Sequence, residues 1–331
     1  MEQLRVALVG CGAMGSIAAR QVYAPDLGVE LVCVVDSHRP RAVELGEELG
    51  IPAYASLDEA VANVDVDATD VRTPHARHEE VAVAAAALGL HLLVEKPLAA
   101  DLPAAERIIS SAGDAGVTLA VAENYPHLRA VTAARAALDD GQLGDVLAIR
   151  ATRAYRLDGI WLRDGWRTGD TSQAGILLDQ GTHQASLIRQ LGGPISSVTA
   201  VPSAGSGRDA VALTLILRSG VVAQLLMTWT SPSSGPAAEA EVYGTMGRLE
   251  VVVDYEGRAG ACRLNDDVIQ SRPENYYDTH RAIVADWAHA IRTGTEPLVG
   301  GPEALDDLRV VEAARASLQQ AGAAIGVGSR A

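Results

Sequence analysis

Residues 5–15 read Arg5-Val6-Ala7-Leu8-Val9-Gly10-Cys11-Gly12-Ala13-Met14-Gly15, and an Ala-rich segment of helical composition, Ala13 to Val22, grows out of them. An apolar run stops at a glycine, and a Gly-x-Gly-x-x-Gly spacing opens the next helix. That placement gives the spacing its meaning. Gly10 permits a tight turn, Gly12 lets the backbone approach a ligand, Gly15 lets the helix pack close to the strand, and N–H groups at the helix start face an anion. The expectation is the first βα unit of a dinucleotide-binding fold, with Gly10, Gly12, Ala13, Met14 and Gly15 against a pyrophosphate. Asp36 ends the second apolar run, 21 residues after Gly15. A carboxylate there accepts hydrogen bonds from an adenosine ribose and repels a 2′-phosphate. With Ser37 and Arg39 it forms the adenosine side. The reading favours NAD, and the nearby Arg39 and Arg41 leave room for NADP.

Outward from this unit, short apolar runs alternate with Ala/Leu/Glu-rich segments. Strands are expected at Arg5 to Val9, Leu31 to Val35, Asp67 to Val71, His91 to Glu95 and Leu119 to Val121. Helices are expected at Ala13 to Val22, Pro40 to Leu49, Leu57 to Ala62, His78 to Leu88 and Leu102 to Ser111. This is βαβ wiring with strands covered on both faces, an α/β doubly wound parallel sheet over residues 1–122. After residue 122 consecutive strands take over, with Arg218-Ser219-Gly220 as one hairpin turn. Residues 123–331 are thus expected to form an α+β domain on an open, mostly antiparallel sheet.

Composition prunes the alternatives. A length of 331 residues fits two domains at about 150 residues each. With 27 basic and 42 acidic side chains, the formal charge of −15 disfavours nucleic acid and anionic membrane as partners. Of the 27 basic residues, Lys96 is the only lysine. It lies between Glu95 and Pro97, so no P-loop forms. Leu92 stands where a short-chain dehydrogenase needs tyrosine, and nothing nearby suggests a pyridoxal site. Three scattered cysteines, Cys11, Cys33 and Cys262, make neither a disulfide framework nor a metal site. The acidic start carries no signal-peptide pattern, and the longest apolar stretch, Val81 to Leu90, is too short to span a bilayer. A cytoplasmic protein is expected.

Val94-Glu95-Lys96-Pro97-Leu98-Ala99, at the end of the fifth strand, resembles the glucose-fructose oxidoreductase / inositol dehydrogenase / rhizopine-catabolism (Gfo/Idh/MocA) family, whose hallmark is Glu-Lys-Pro at this point. Thr73-Pro74 followed by His78, Ala122-Glu123-Asn124-Tyr125, Asp179-Gln180-Gly181-Thr182-His183 and Gly294 to Val299 are also similar, so the resemblance spans essentially the whole chain. It departs at Gln173-Ala174-Gly175 and at Pro126-His127, both on the substrate side. The resemblance implies hydride transfer between nicotinamide and a secondary hydroxyl or ketone of a sugar, amino sugar or cyclitol. A hydrolase or lyase that retains NAD, and a ligand sensor, are the rival readings. Lys96, Asp179 and His183 are the implied catalytic residues; Thr73, Pro74, His78, Glu95, Lys96 and Asn124 join the cofactor set; Tyr125 and His127 join Lys96, Asp179 and His183 around the substrate. The chemistry agrees. Alcohol oxidation needs a proton acceptor and a group that stabilises charge on oxygen. A lysine can do what arginine, which does not deprotonate usefully, cannot. Asp179 and His183, four residues apart, share one helical face.

Residues 150–170 carry Arg150, Arg153, Arg156, Arg163 and Arg167 with Tyr155, Trp161 and Trp166, against Asp158, Asp164 and Asp170. Aromatic faces suit a sugar ring, and guanidinium groups fork onto hydroxyls or a carboxylate. Arg153, Tyr155, Trp161 and Trp166 are thus substrate candidates, and the positive balance points to an anionic substituent unless these arginines pair with those aspartates. Along Val221 to Trp229 one face is apolar and the other carries Val222 and Leu226 beside Gln224 and Thr228, and Val211 to Leu217 is mostly apolar on both faces. Helices cover one; a second copy of the chain, as homodimer or homotetramer, is the simplest cover for the other.

Overall fold

Continuous apolar runs become central strands, as parallel pairing under helices on both faces requires. The computed structural model describes residues 3–157, 159, 175–203, 210–231, 238–254, 260–272 and 274–328. Contacts divide the chain into two compact units, residues 1–123 with 280–305 and residues 124–279 with 306–331.

The first unit begins β1 (Leu4–Val9), α1 (Ala13–Gln21), β2 (Val29–Val35), α2 (Arg39–Leu49), β3 (Ala53–Tyr54), α3 (Leu57–Val61), β4 (Ala68–Val71), α4 (His78–Ala87), β5 (His91–Glu95), α5 (Leu102–Ala115) and β6 (Leu119–Ala122). Its described strands form a parallel sheet in the order β3-β2-β1-β4-β5-β6. The order reverses between β1 and β4, which opens a crevice at the carboxyl ends of these strands. Helix starts follow local chemistry. Ser56 Oγ accepts the Glu59 N–H at 3.2 Å, while the Glu59 carboxylate accepts the Ala55 N–H at 2.9 Å, a capping box shifted by one residue. Asp101 caps α5 through the Ala104 N–H at 2.9 Å.

Beyond these lie α6 (Arg129–Asp139), β7 (Val146–Ala154), α7 (Gly175–Gly192), β8 (Ile195–Pro202), β9 (Ala210–Leu217), β10 (Val222–Thr228), β11 (Ala238–Gly244), β12 (Gly247–Val252), β13 (Ala261–Leu264), β14 (Asp267–Gln270), α8 (Tyr276–Thr293), α9 (Gly301–Gln319) and β15 (Ile325–Gly326). The described strands of the second unit form one sheet in the order β14-β13-β12-β11-β7-β10-β9-β8-β15. Pairing is antiparallel except between β7 and β10, which run parallel. Gly220, at φ +90°, turns the expected hairpin between β9 and β10.

The expected domain limits need one correction. Residues 280–305 belong with the nucleotide-type unit, not with the C-terminal one. The cause is packing: Ile283, Val284, Trp287 and Ala288 of α8 are buried in one core with Val6, Leu8, Val34 and Leu93. Trp287 is fully buried. Replacing Trp287 with Ala is expected to cost about 3–5 kcal/mol of unfolding free energy in urea titration. A loss under about 1 kcal/mol would mean that this helix is not part of the core.

Candidate active site

At the mouth of the parallel sheet the backbone is packed too closely for side chains. Gly10 has φ +102°, and a Cβ there would stand 2.7 Å from the Arg72 carbonyl and 2.8 Å from the Thr73 nitrogen. A Cβ on Gly15 would collide with the Gly10 carbonyl oxygen. The N-cap of α1 is Gly12, which brings no side-chain acceptor to the first amides of the helix. An anion that accepts from those amides fits this cradle, as a dinucleotide pyrophosphate does. Asp36, buried at the end of β2, fixes the loop. Its Oδ2 accepts the Cys11 N–H at 2.8 Å, its Oδ1 accepts the His38 N–H at 2.8 Å, and Arg41 Nη1 lies 3.6 Å away. Ser37 and Arg39 are exposed beside it, and Arg39 faces Glu59 at 3.7 Å. Burial, then the Asp36 charge, pushes the Cys11 thiol up to about 12, which makes it a loop filler and not a nucleophile.

Next to this loop, the ends of β4 and β5 hold a buried ion cluster. Arg72 Nε donates to Asp70 Oδ1 at 2.7 Å, its Nη1 pairs with Glu95, and the Tyr23 hydroxyl donates to Asp70 Oδ2 at 2.8 Å. Burial works against the Arg72 charge, but the two carboxylates outweigh it and raise its pKa; burial raises that of Asp70. Thr73 is half-buried and Pro74 exposed on the turn after β4. Lys96 follows Glu95 and is only 9% exposed. His78 opens α4 beside this segment. That ring is fully buried, with Nδ1 2.9 Å from the Pro97 carbonyl and Nε2 2.9 Å from the Thr73 carbonyl. His78 ties the turn after β4 to the turn after Lys96, and burial lowers its pKa.

A second cluster lies within the second unit. Asp179 and His183 stand one turn apart on α7, and the Tyr125 ring is 5.3 Å from the His183 ring. Asp179 Oδ2 accepts from Gln180 Nε2 at 3.1 Å, and Gln180 Oε1 accepts from Arg153 Nε at 3.2 Å. Arg153 stacks 4.6 Å over Tyr155 and faces Glu239 at 3.6 Å. Glu239 also accepts from the Tyr125 hydroxyl at 2.5 Å and from Gln184 Nε2 at 2.7 Å. The structure therefore gathers Tyr125, Arg153, Tyr155, Asp179 and His183, and adds Gln180, Gln184 and Glu239, which sequence reading missed. The four-residue spacing of Gln180 and Gln184 beside Asp179 and His183 was a usable signal; for Glu239 there was none. Asn124 is buried where the second unit begins, and His127 is half-buried in the turn after Tyr125. Arg150 leaves the group: it is 63% exposed and pairs with Glu241 at 2.9 Å. Trp161, Trp166, Arg163 and Arg167 lie outside the described residues. Among the described residues no group of three metal-ligating side chains occurs.

A family model described as "Oxidoreductase family, NAD-binding Rossmann fold" matches residues 4–123, and one described as "GFO/IDH/MocA C-terminal domain" matches residues 131–250. D-xylose 1-dehydrogenase (NADP(+)) 2 of Haloferax volcanii is 29% identical over 89% of this chain and 91% of its own length. 1,5-anhydro-D-fructose reductase of Ensifer adhaerens is 32% identical over 67% of this chain and 68% of its own. Among solved structures, GenD2 from gentamicin A biosynthesis in complex with NAD superposes with a TM-score of 0.83 at 29% identity, over 99% of this chain and 97% of that one.

Replacing Asp36 with Ala is expected to raise the dissociation constant for NAD by roughly tenfold or more, the order of losing charge-assisted hydrogen bonds, and to shrink the gap to NADP. Fluorescence titration with both dinucleotides checks it. A parent that already prefers NADP overturns the assignment of Asp36.

Proposed function

The chain belongs to the Gfo/Idh/MocA oxidoreductase family, and on that premise we propose that it transfers a hydride between a nicotinamide dinucleotide, NAD in preference to NADP, and a secondary hydroxyl or ketone of a sugar, amino sugar or cyclitol. The observation that carries the proposal is the setting of Lys96. The chain's one lysine directly follows β5, two strands along the sheet from the glycine cradle of β1, with Glu95 held by Arg72 on one side and Pro97 held by His78 on the other. The dinucleotide, when bound, supplies the hydride acceptor at the nicotinamide ring. Lys96 stabilises charge on the reacting oxygen, His183 takes or returns the hydroxyl proton, and Asp179 orients His183 or receives a substrate hydroxyl. Tyr125, Arg153, Tyr155 and His127 surround the ring. Dehydrogenase and reductase names among the relatives support net oxidoreduction over the hydrolase, lyase and sensor readings.

The second sheet supports an assembly of copies. On β10, Ala223, Leu225 and Met227 are buried, while Val222 and Leu226 on the other face are 37% and 47% exposed. Register extends that face through Ala212 to Val201. A second copy covering it makes a homodimer, or a homotetramer, working in the cytoplasm. Among the described residues no helix is long and apolar enough to cross a membrane.

Lys96→Met should lower kcat by roughly 10²–10³-fold while NAD binding stays within a few fold, and Lys96→Arg should be almost as slow. An Arg variant above half the parental rate removes the proposed role. Leu226→Glu should shift the chain towards monomer in light scattering at micromolar concentration, and a parent that is already monomeric refutes the assembly.

A further inference from the structure

Five arginines against three aspartates make residues 150–170 net positive in the sequence, the balance a sugar acid would favour. The structure spends two of those charges. Arg150 and Arg153, three apart on β7, point to opposite faces of the sheet. Arg150 is held by Glu241, and Arg153 by Glu239. What remains in the segment is Arg156, Arg163 and Arg167 against Asp158, Asp164 and Asp170, equal numbers. Glu239 is buried, and the groups that reach it are donors: the Tyr125 hydroxyl, the Gln184 amide and the Arg153 guanidinium. In this cluster Glu239 faces Arg153 at 3.6 Å, and Gln180 links that guanidinium to Asp179.

We propose that Glu239 is a specificity-determining positioning residue: by holding the Arg153 charge against Tyr155 and Gln180, it makes the Asp179–His183 side accept an uncharged polyol ring and disfavour a ring that carries a carboxylate. The inference rests on the reading of this cluster as the substrate side. Arg153, already balanced, serves the ring through hydrogen bonding and stacking, not as a counter-ion. Lys96 is reserved for the reacting oxygen, so a carboxylate elsewhere on the ring meets Asp179 and Glu239 near one guanidinium, and like charges at short range in a partly buried site are costly.

The test uses the full chain with NAD and pairs of substrates that differ only at one carbon, glucose with glucuronate and galactose with galacturonate. The readout is the ratio of kcat/KM for the acid to that for its neutral partner. In the parent the ratio is expected below one, and a ratio above one overturns the proposal. Glu239→Gln keeps an acceptor for Tyr125 and Gln184 but removes the charge. The ratio should then rise roughly tenfold or more through KM for the acid, with KM for NAD unchanged, since a charged hydrogen-bonded contact is worth about that factor. An unchanged ratio in the folded variant overturns the proposal. Should that variant fail to fold, Arg153→Met decides: with Glu239 still charged the ratio must fall further, and a constant or higher ratio refutes it. Absence of turnover on any sugar or cyclitol with either dinucleotide is a different result, for it removes the proposed function itself.

Discussion

The contact of bare backbone on bare backbone, where β1, the start of α1 and the end of β4 meet, is the constraint on which the candidate cofactor site depends. Gly15 lies against the Gly10 carbonyl, and Gly10 against the Arg72 peptide. One methyl group at either glycine would move α1 off the sheet and turn its first amides away from the crevice. The same contact places Arg72 between β1 and β5, where its guanidinium binds Asp70 and Glu95. A buried ion cluster is a weak source of net stability, because desolvation offsets most of the attraction. Its effect here is geometric: it fixes Glu95, and with it the start of the Lys96–Pro97 segment.

Arginine elsewhere in the chain works differently. Arg20 with Glu48 and Arg107 with Glu79 form pairs on exposed surface, where solvent screening leaves little net stabilisation. Arg189, less exposed, reaches Asp307 at 2.6 Å and Asp306 at 3.4 Å. Such planar, permanently charged forks suit fixed pairing with carboxylates, and the acidic excess of the chain supplies partners. A group that must approach a reacting oxygen is better served by a compact ammonium. The division of labour between 26 arginines and one lysine follows from that difference.

The sequence was legible where one residue's environment is set by its neighbours in the chain. Val6 to Val9 and Leu92 to Val94 are apolar without interruption because both faces of a central parallel strand are covered. Two-residue strands such as Ala53–Tyr54 carry no such pattern. The amphipathic stripe of α8 announces that Ile283 and Trp287 are buried, but not in which unit, and so its assignment failed. His78 shows the same limit: nothing local in the sequence announces that its two ring nitrogens stand at the Pro97 and Thr73 carbonyls. Glu239 was invisible because a buried polar side chain reveals itself only through partners far away in the chain, here Tyr125, Arg153 and Gln184. Arg150 and Arg153 could have been separated, since strand residues three apart cannot face the same side.

The return of residues 280–305 to the first unit has a consequence for how the protein is made. Synthesis delivers the glycine loop and six strands first, then roughly 160 residues of another fold, and only then the helix that finishes the first core. At about 5–20 residues per second the nascent nucleotide unit waits roughly 8–32 s with the apolar seat of Trp287 open to water. All strands of the second unit except β15 are synthesised before the helix that closes the first. Biosynthesis therefore passes through a stage in which the amino-terminal half is shaped but unsealed, a natural client for a chaperone.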